Sequence, residues 1–488
     1  MMAREKLLKK SSIAENYIFS IVYNILSIIV PLITAPYIAR VLEPDGVGIY
    51  SLTSNNVSYF VAFGVLGLGT YGQLEIAKVM DDVYQTSKIF FEISIVRIVT
   101  HAICIIVFCI LLLFIEQYQV MYFIQGAILL SSMLDVTWFF QGVEEFKKIA
   151  IRNILIKVIS VIFIFALVKS KHDLVIYTII MLASSFISSI CLIPLLRNYL
   201  IKINLKTLHF KPHVKGAFMF FIPTIASVIG SSVDKTMIDI ICDVPEENGW
   251  YAQAYKMQIL CFTLFSALNQ VMRSRMAYLF SNEKKDDIKR LVHKSLKFIV
   301  FLAFPIAFGM AGMAYSFVPW FLGTGYEKVS VLMIIFAGWM IFKPISNCVL
   351  EQDIMASGRQ KVFNIIIWVG AISNVFFNII LIPFFSSVGA AVASVFSELI
   401  IFIITIFKSS ENFVFRDLVE SSWNKLFSSV VMVSVMYLIG YCIEIPIFTT
   451  VLQGILGATT YIAVLLFFND KVCKDLINMI LKKCVGKV

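Results

Sequence analysis

The stretch VLEPDGVGIYS at residues 41–51 occurs a second time, in altered form, as CDVPEENGWYA at residues 242–252. Each copy lies between two long apolar runs, and its proline and glycine are typical of a turn. A shift of 201 residues superposes three pairs of identical residues, Pro44 and Pro245, Gly48 and Gly249, and Tyr50 and Tyr251. The repeat predicts that the chain is built from two related halves.

A second pair of stretches supports this prediction. EEFKKIAIRNILIK (144–157) and SGRQKVFNIIIWVG (357–370) each connect the fourth to the fifth apolar run of their half. Six runs per half is an even number, so both halves have the same orientation, which is typical of a parallel repeat about the membrane normal. We expect two pseudo-symmetric six-helix lobes and an appended helix pair with a cytoplasmic tail, at residues 1–200, 201–410 and 411–488.

Composition indicates the class of protein. Of 488 residues, 59% are hydrophobic and only 15% are charged, and the mean hydropathy is +0.87. Apolar runs of about 20 residues, enough to span a bilayer as a helix, recur along the chain and do not alternate as barrel strands do. We predict an all-α polytopic membrane protein. The nine cysteines stand singly without a C-x-x-C pair, which favours neither a zinc site nor a disulfide framework.

The apolar runs predict about fourteen transmembrane helices and their orientation. If the N-terminus is cytoplasmic, 33 of the 41 Lys and Arg residues fall on the cytoplasmic side and four outside, as the positive-inside rule requires. Both termini are then cytoplasmic, and the net charge of +10 faces anionic lipids rather than nucleic acid. The predicted spans are 15–39, 47–69, 88–115, 118–140, 151–168, 174–196, 215–241, 249–274, 295–320, 329–355, 361–382, 387–408, 423–443 and 447–468.

Basic residues inside these spans are the first candidate site. Charges there cost roughly 2.5–3.5 kcal/mol each at the centre of a bilayer unless they face water or a partner. Four of them on different helices predict a cationic cavity for an anionic headgroup, with Arg40 as a fifth residue at an outer helix end. The alternative is that each basic residue pairs with an acidic one, as Arg97 could with Glu92, and only stabilises the packing of the helices. The candidates are Arg97, Lys235, Lys256, Lys343 and Arg40.

Acidic and amide residues suggest a second site. Asn374 and Asn378 are spaced i, i+4 and so share a helix face. Oxygen ligands or a protonatable group could couple transport to a sodium or a proton gradient, although capping or packing roles are the commoner explanation. The candidates are Asp234, Asp239, Asn374, Asn378 and Glu398.

The stretch NYIFSIVYNILSIIVPLITAPYIARVLEPDGVGIYS at 16–51 resembles the start of the Wzx-like polysaccharide-biosynthesis flippases, and DKTMIDII at 234–241 followed by GWYAQAYK at 249–256 resembles the matching segment of the second lobe. With a 6+6+2 arrangement, the resemblance extends over essentially the whole chain. It implies membership of the multidrug/oligosaccharidyl-lipid/polysaccharide exporter superfamily. It also implies translocation of an undecaprenyl-diphosphate-linked oligosaccharide to the outer leaflet, for capsule, O-antigen or a related polymer, by alternating access.

The resemblance also implies the surroundings of the protein. These are the bacterial cytoplasmic (inner) membrane, the lipid-linked glycan and membrane lipids, with the polysaccharide polymerase and other assembly proteins as further partners. We expect no cofactor, no enzymatic activity, because the loops are short, and no direct use of ATP, because no Walker motif is present. The alternatives are a cation-coupled multidrug antiporter on the same scaffold and an integral-membrane polymerase or ligase.

Overall fold

Helices form every regular element in the part of the chain that the structure describes. This structure is a computed structural model and describes residues 13–282, 285–410, 415–443 and 445–485. Eleven helical segments within those ranges are long and apolar enough to cross a membrane. The prediction of an all-α, multi-pass membrane protein is therefore confirmed.

The chain divides into two compact units, Met1–Ser232 and Val233–Val488. The helices of the first unit are α1 (Ile13–Val65), α2 (Leu68–Val79), α3 (Val83–Leu112), α4 (Gln119–Gly126), α5 (Ile128–Leu134), α6 (Thr137–Gly142), α7 (Phe146–Leu167) and α8 (Leu174–Ile190). Helix α9 (Lys211–Cys242) begins in the first unit and ends in the second. The second unit continues with α10 (Pro245–Ser281), α11 (Lys285–Phe321), α12 (Glu327–Val349), α13 (Gln360–Lys408), α14 (Phe415–Cys442), α15 (Pro446–Phe467) and α16 (Lys471–Val485).

Two of the long helices contain a sharp break. In α1 the backbone of Glu43 is non-helical (φ 58°, ψ 173°), and in α13 that of Ser386 is non-helical (φ 51°, ψ −131°). These breaks lie at the turns that the sequence predicts between spans 1 and 2 and between spans 11 and 12. The predicted eighth span coincides with α10, which is not among the eleven segments. The number fourteen, the cytoplasmic termini and the three repeat-based domains stay predictions.

The repeated stretch lies at a turn in both units. In the second unit, Glu247 accepts hydrogen bonds from the backbone N (3.2 Å) and Oγ (2.5 Å) of Ser387, next to the break in α13. It also pairs with Lys328 at 2.5 Å. In the first unit the break residue Glu43 lies 3.8 Å from Lys171 in an exposed ion pair. The second copy of the stretch thus holds the α13 break in place through a buried carboxylate.

The predicted fourth span is not one helix. It consists of α4, α5 and α6, and the last interruption is at Asp135, whose backbone is extended. The side chain of Asp135 accepts a hydrogen bond from the backbone N of Thr137, the first residue of α6, at 3.1 Å. The aromatic ring of Trp138 on α6 stacks on Phe90 of α3, with centroids 5.6 Å apart. These contacts fix the broken span against α3.

Gly67, between α1 and α2, allows the chain to approach α9 closely. Its φ is +74°, and a Cβ there would lie 2.6 Å from both the carbonyl oxygen of Ala217 and the backbone N of Phe221. We expect Gly67→Ala to lower the free energy of unfolding by about 1–3 kcal/mol, as overpacking and backbone strain do. Thermal unfolding in detergent measures this. Gly69→Ala is the control, since a Cβ there meets no atom within 4 Å, and equal loss in both variants would contradict the prediction.

Candidate functional site

A buried carboxylate on α9 is the centre of a cluster of hydrogen-bonded polar side chains in the second unit. Asp234 is only 2% exposed. Its Oδ1 accepts a hydrogen bond from Nδ2 of Asn378 at 2.6 Å, and its Oδ2 accepts one from Oγ of Ser394 at 2.8 Å. The hydroxyl of Tyr251 on α10 also donates to Oδ2. A single negative charge is thereby surrounded by donors from α10 and from both halves of α13.

The break in α13 explains this geometry. Asn378 and Ser394 lie eight residues before and eight residues after Ser386, so the two halves of α13 bring them together at Asp234. Asn378 also donates to Oδ1 of Asn374 at 3.2 Å, one helical turn earlier. We call Asp234, Tyr251, Asn374, Asn378 and Ser394 the Asp234 pocket.

One oxygen of the Asp234 pocket is left without a partner. The side chain of Asn378 is fully buried, and its Oδ1 accepts no hydrogen bond from any residue that the structure describes. An unsatisfied buried acceptor costs about 1–3 kcal/mol. The oxygens of the Asp234 pocket are of the type that hard cations bind, and those of Asp234 and Asn374 accept hydrogen bonds from within the pocket.

The pocket contains two residues that sequence reasoning misses. Tyr251 stands out in the sequence only as a match within the repeat, and Ser394 carries no signal there. In the first unit the repeat sets Tyr50 opposite Tyr251 but Ile33 opposite Asp234, and Tyr50 packs on the ring of Tyr177 with centroids 4.8 Å apart. The carboxylate is thus confined to the second copy.

The other two predicted acidic residues lie elsewhere. Asp239 follows Asp234 by five residues, which places it about 140° around the helix, and within the described residues its side chain makes no hydrogen bond or ion pair with the Asp234 pocket. Glu398 on α13 is 3% exposed. It pairs with Lys343 of α12 at 3.1 Å and accepts a hydrogen bond from Oγ of Ser346 at 2.5 Å. Lys343 therefore has an acidic partner distant in sequence, as the packing alternative requires.

Two further basic residues of the second unit differ in their surroundings. Nζ of Lys235 lies over the ring of Tyr255, 5.5 Å from its centroid, and that ring stacks on Tyr251 of the Asp234 pocket at 6.2 Å. Lys256 is half-buried, and among the described residues no hydrogen bond or ion pair reaches it. In this it differs from Lys343 and Arg97, which have partners within the fold.

Arg97 in the first unit donates hydrogen bonds to the interrupted fourth span. It is 4% exposed, and its Nε and Nη2 donate to the carbonyl oxygen of Ser132 at 3.0 and 2.7 Å. That oxygen lies in the last turn of α5 and also accepts a hydrogen bond from the backbone N of Asp135 at 3.3 Å. Nη2 is also 3.7 Å from a carboxylate oxygen of Asp135. The suggested partner Glu92 instead binds His213 at 2.7 Å, and Arg40 is exposed near the break in α1.

Known structures share this fold. The chain superposes on "Lipid II flippase MurJ, inward closed conformation" with a TM-score of 0.72 at 18% identity, covering 93% of this chain and all of that one. A multidrug resistance MATE family transporter in an inward-facing conformation gives a TM-score of 0.59 at 12% identity, covering 84% and 98% of the two chains. The fold is therefore that of the MurJ and MATE structures.

Sequence comparison goes further than the fold. The chain is 22% identical over 398 residues to the "Putative O-antigen transporter" of Escherichia coli (strain K12), covering 80% of this chain and 95% of that protein. A family model described as "Polysaccharide biosynthesis protein" matches residues 13–272, which is more than half of the 488 residues. The chain belongs to this polysaccharide biosynthesis protein family.

Proposed function

We propose that this protein moves undecaprenyl-diphosphate-linked oligosaccharide repeat units from the inner to the outer leaflet of the bacterial cytoplasmic membrane. The observation that carries the proposal is membership of the polysaccharide biosynthesis family, whose E. coli relative is named an O-antigen transporter. The polymer would be capsule, O-antigen or a related surface polysaccharide. The relatives are named for transport rather than catalysis, in agreement with a non-enzymatic role.

The proposed mechanism is alternating access with the diphosphate held by basic residues. Lys256 ranks first because no described side chain neutralises it, and Lys235, held over Tyr255, ranks second. Lys343 and Arg97 are already engaged by Glu398 and Ser132. A diphosphate moving outward is assisted by an inside-negative potential, by about 2.3 kcal/mol per charge and 100 mV. The sequence contains no Walker motif, so we propose no direct use of ATP.

Lys256→Gln tests the role of the Lys256 ammonium group in substrate binding. We expect it to lower transport roughly tenfold, because a point charge opposite a phosphate is lost, while folding is preserved. The measurement is the leaflet distribution of lipid-linked oligosaccharide in cells that depend on the variant. Lys361→Gln, an exposed lysine at the start of α13, is the control.

Two results of this experiment separate the claims. Normal transport by Lys256→Gln would remove the cation from the mechanism but not the flippase itself. Unchanged leaflet distribution after depletion of the whole protein would overturn the flippase.

The Asp234 pocket is proposed to bind the coupling cation. It offers one carboxylate and several neutral oxygens, including the unpartnered Oδ1 of Asn378, and one negative charge suits a monovalent ion. No group of three or more His, Cys, Asp or Glu residues suited to a metal is found in the described ranges. A sodium ion or a proton would bind there and drive the return of the empty carrier.

A cation-coupled multidrug antiporter is the second candidate, since a MATE transporter shares the fold. Organic cations prefer acidic cavities, whereas Lys235 and Lys256 make the proposed path basic. Overexpression followed by efflux assays distinguishes the two. Strong efflux of organic cations without a defect in surface polysaccharide would favour the antiporter.

A further inference from the structure

The first turns of α9 are anchored on one face. His213 is buried and its Nε2 lies 2.7 Å from Oε2 of Glu92, while its Nδ1 lies 3.0 Å from the hydroxyl of Tyr71. Glu92 also accepts a hydrogen bond from the backbone N of His209 at 2.7 Å. Ala217, one turn further along, is fully buried against Gly67. These contacts fix which face of the start of α9 points away from the rest of the first unit.

The opposite face of α9 forms an open groove with a volume of about 500 Å³. Its lining follows two rows of side chains at i, i+4 spacing, with lysines at the start of the helix and apolar side chains after them. The described lining residues are Lys211, Val214, Lys215, Phe218, Met219 and Ile222. We call this the Lys211 groove.

The Lys211 groove is charged at the start of α9 and becomes apolar further along the helix. Both lysines are exposed, and among the described residues neither makes an ion pair. Met219 is 75% exposed and Phe218 is 50% exposed, and beyond them Ile222 lies about 10 Å deeper than Lys215 at 1.5 Å per residue. The positive-inside rule predicts that the start of α9 is on the cytoplasmic side. With that orientation the groove presents two ammonium groups at the inner surface and an apolar face toward the bilayer centre.

We propose that the Lys211 groove is a loading site for the polyprenyl diphosphate part of the lipid-linked substrate, taken from the inner leaflet. Two lysines one helical turn apart, about 5–6 Å between their Cβ atoms, match two linked phosphates better than the single phosphate of a phospholipid. The first isoprene units lie on Phe218, Met219 and Ile222. This proposal rests on the proposed function, because it names where that substrate first binds.

Binding of farnesyl diphosphate to the purified full-length protein in detergent tests the loading site. We expect Lys211→Gln/Lys215→Gln to weaken binding at least tenfold, and Met219→Glu to weaken it as well by placing a negative charge in the apolar part. Lys202→Gln/Lys206→Gln is the matched control, with two exposed lysines of the preceding segment outside the groove. Equal loss in the control pair would overturn the proposal, since general electrostatic attraction would then explain the binding.

Competing ligands identify what the groove recognises. We expect neither inorganic pyrophosphate nor phosphatidylglycerol to displace farnesyl diphosphate at equal concentration. Displacement by pyrophosphate would show that the isoprenoid chain contributes nothing to binding. Displacement by phosphatidylglycerol would show that the groove binds lipids without specificity. Either result overturns the proposal. Binding is read on purified protein and transport in cells, so the loading site and the flippase can fail separately.

Discussion

Asp234→Asn is expected to abolish the response of the protein to its coupling cation and to reduce transport at least tenfold. Asparagine has nearly the shape of aspartate, and its carbonyl oxygen can still accept from Tyr251, Ser394 or Asn378. What is lost is the one negative charge of the pocket. A ligand at 100 times its Kd stabilises a protein by about 2.7 kcal/mol, so the loss should be visible in thermal unfolding.

The measurement compares the unfolding temperature of purified protein in sodium and in choline chloride. A sodium-dependent shift identifies sodium as the ion. That shift must vanish in Asp234→Asn and persist in Asp239→Asn, because Asp239 lies outside the pocket. A wild-type shift in Asp234→Asn would contradict a coupling site there.

Lys343→Met is expected to destabilise the second unit by about 3–5 kcal/mol. The substitution keeps most of the side-chain volume but leaves the buried carboxylate of Glu398 without its partner at 3.1 Å, and an unpaired buried charge carries that cost. Lys343→Met/Glu398→Met should recover most of the loss, since two apolar side chains can replace a buried ion pair. Thermal unfolding in detergent measures all three variants.

Transport by the double variant decides what Lys343 does. If the ion pair only stabilises packing, restored stability restores transport. If Lys343 also holds substrate, the double variant folds normally but transports poorly. Equal stability of Lys343→Met and the double variant would contradict the buried-charge argument itself.

The fold is largely predictable from the sequence. Hydropathy indicates the length of each apolar span, and the repeat indicates which spans of the two halves correspond. The turns at Glu43 and Ser386 coincide with predicted loops, although each is a single non-helical residue within a long helix. The interruptions of the fourth span are not predictable in this way, because Asp135 and Ala127 leave the average hydropathy of residues 118–140 high. Helix α16 escapes prediction too, since it is short and amphipathic rather than apolar.

The site is predictable only in part. Asp234, Asn374 and Asn378 stand out as polar residues in apolar spans, and the structure joins them. Tyr251 and Ser394 do not, because they reach Asp234 across 17 and 160 residues of sequence. Pairing between residues far apart in the chain depends on tertiary packing, which no local pattern encodes.

Helix α9 contains both the Lys211 groove at its start and Asp234 near its end. If lipid loading at one end of this helix changes the affinity for the cation at the other, the two sites share a coupling free energy. By thermodynamic reciprocity, any factor by which the cation changes lipid affinity is the factor by which the lipid changes cation affinity.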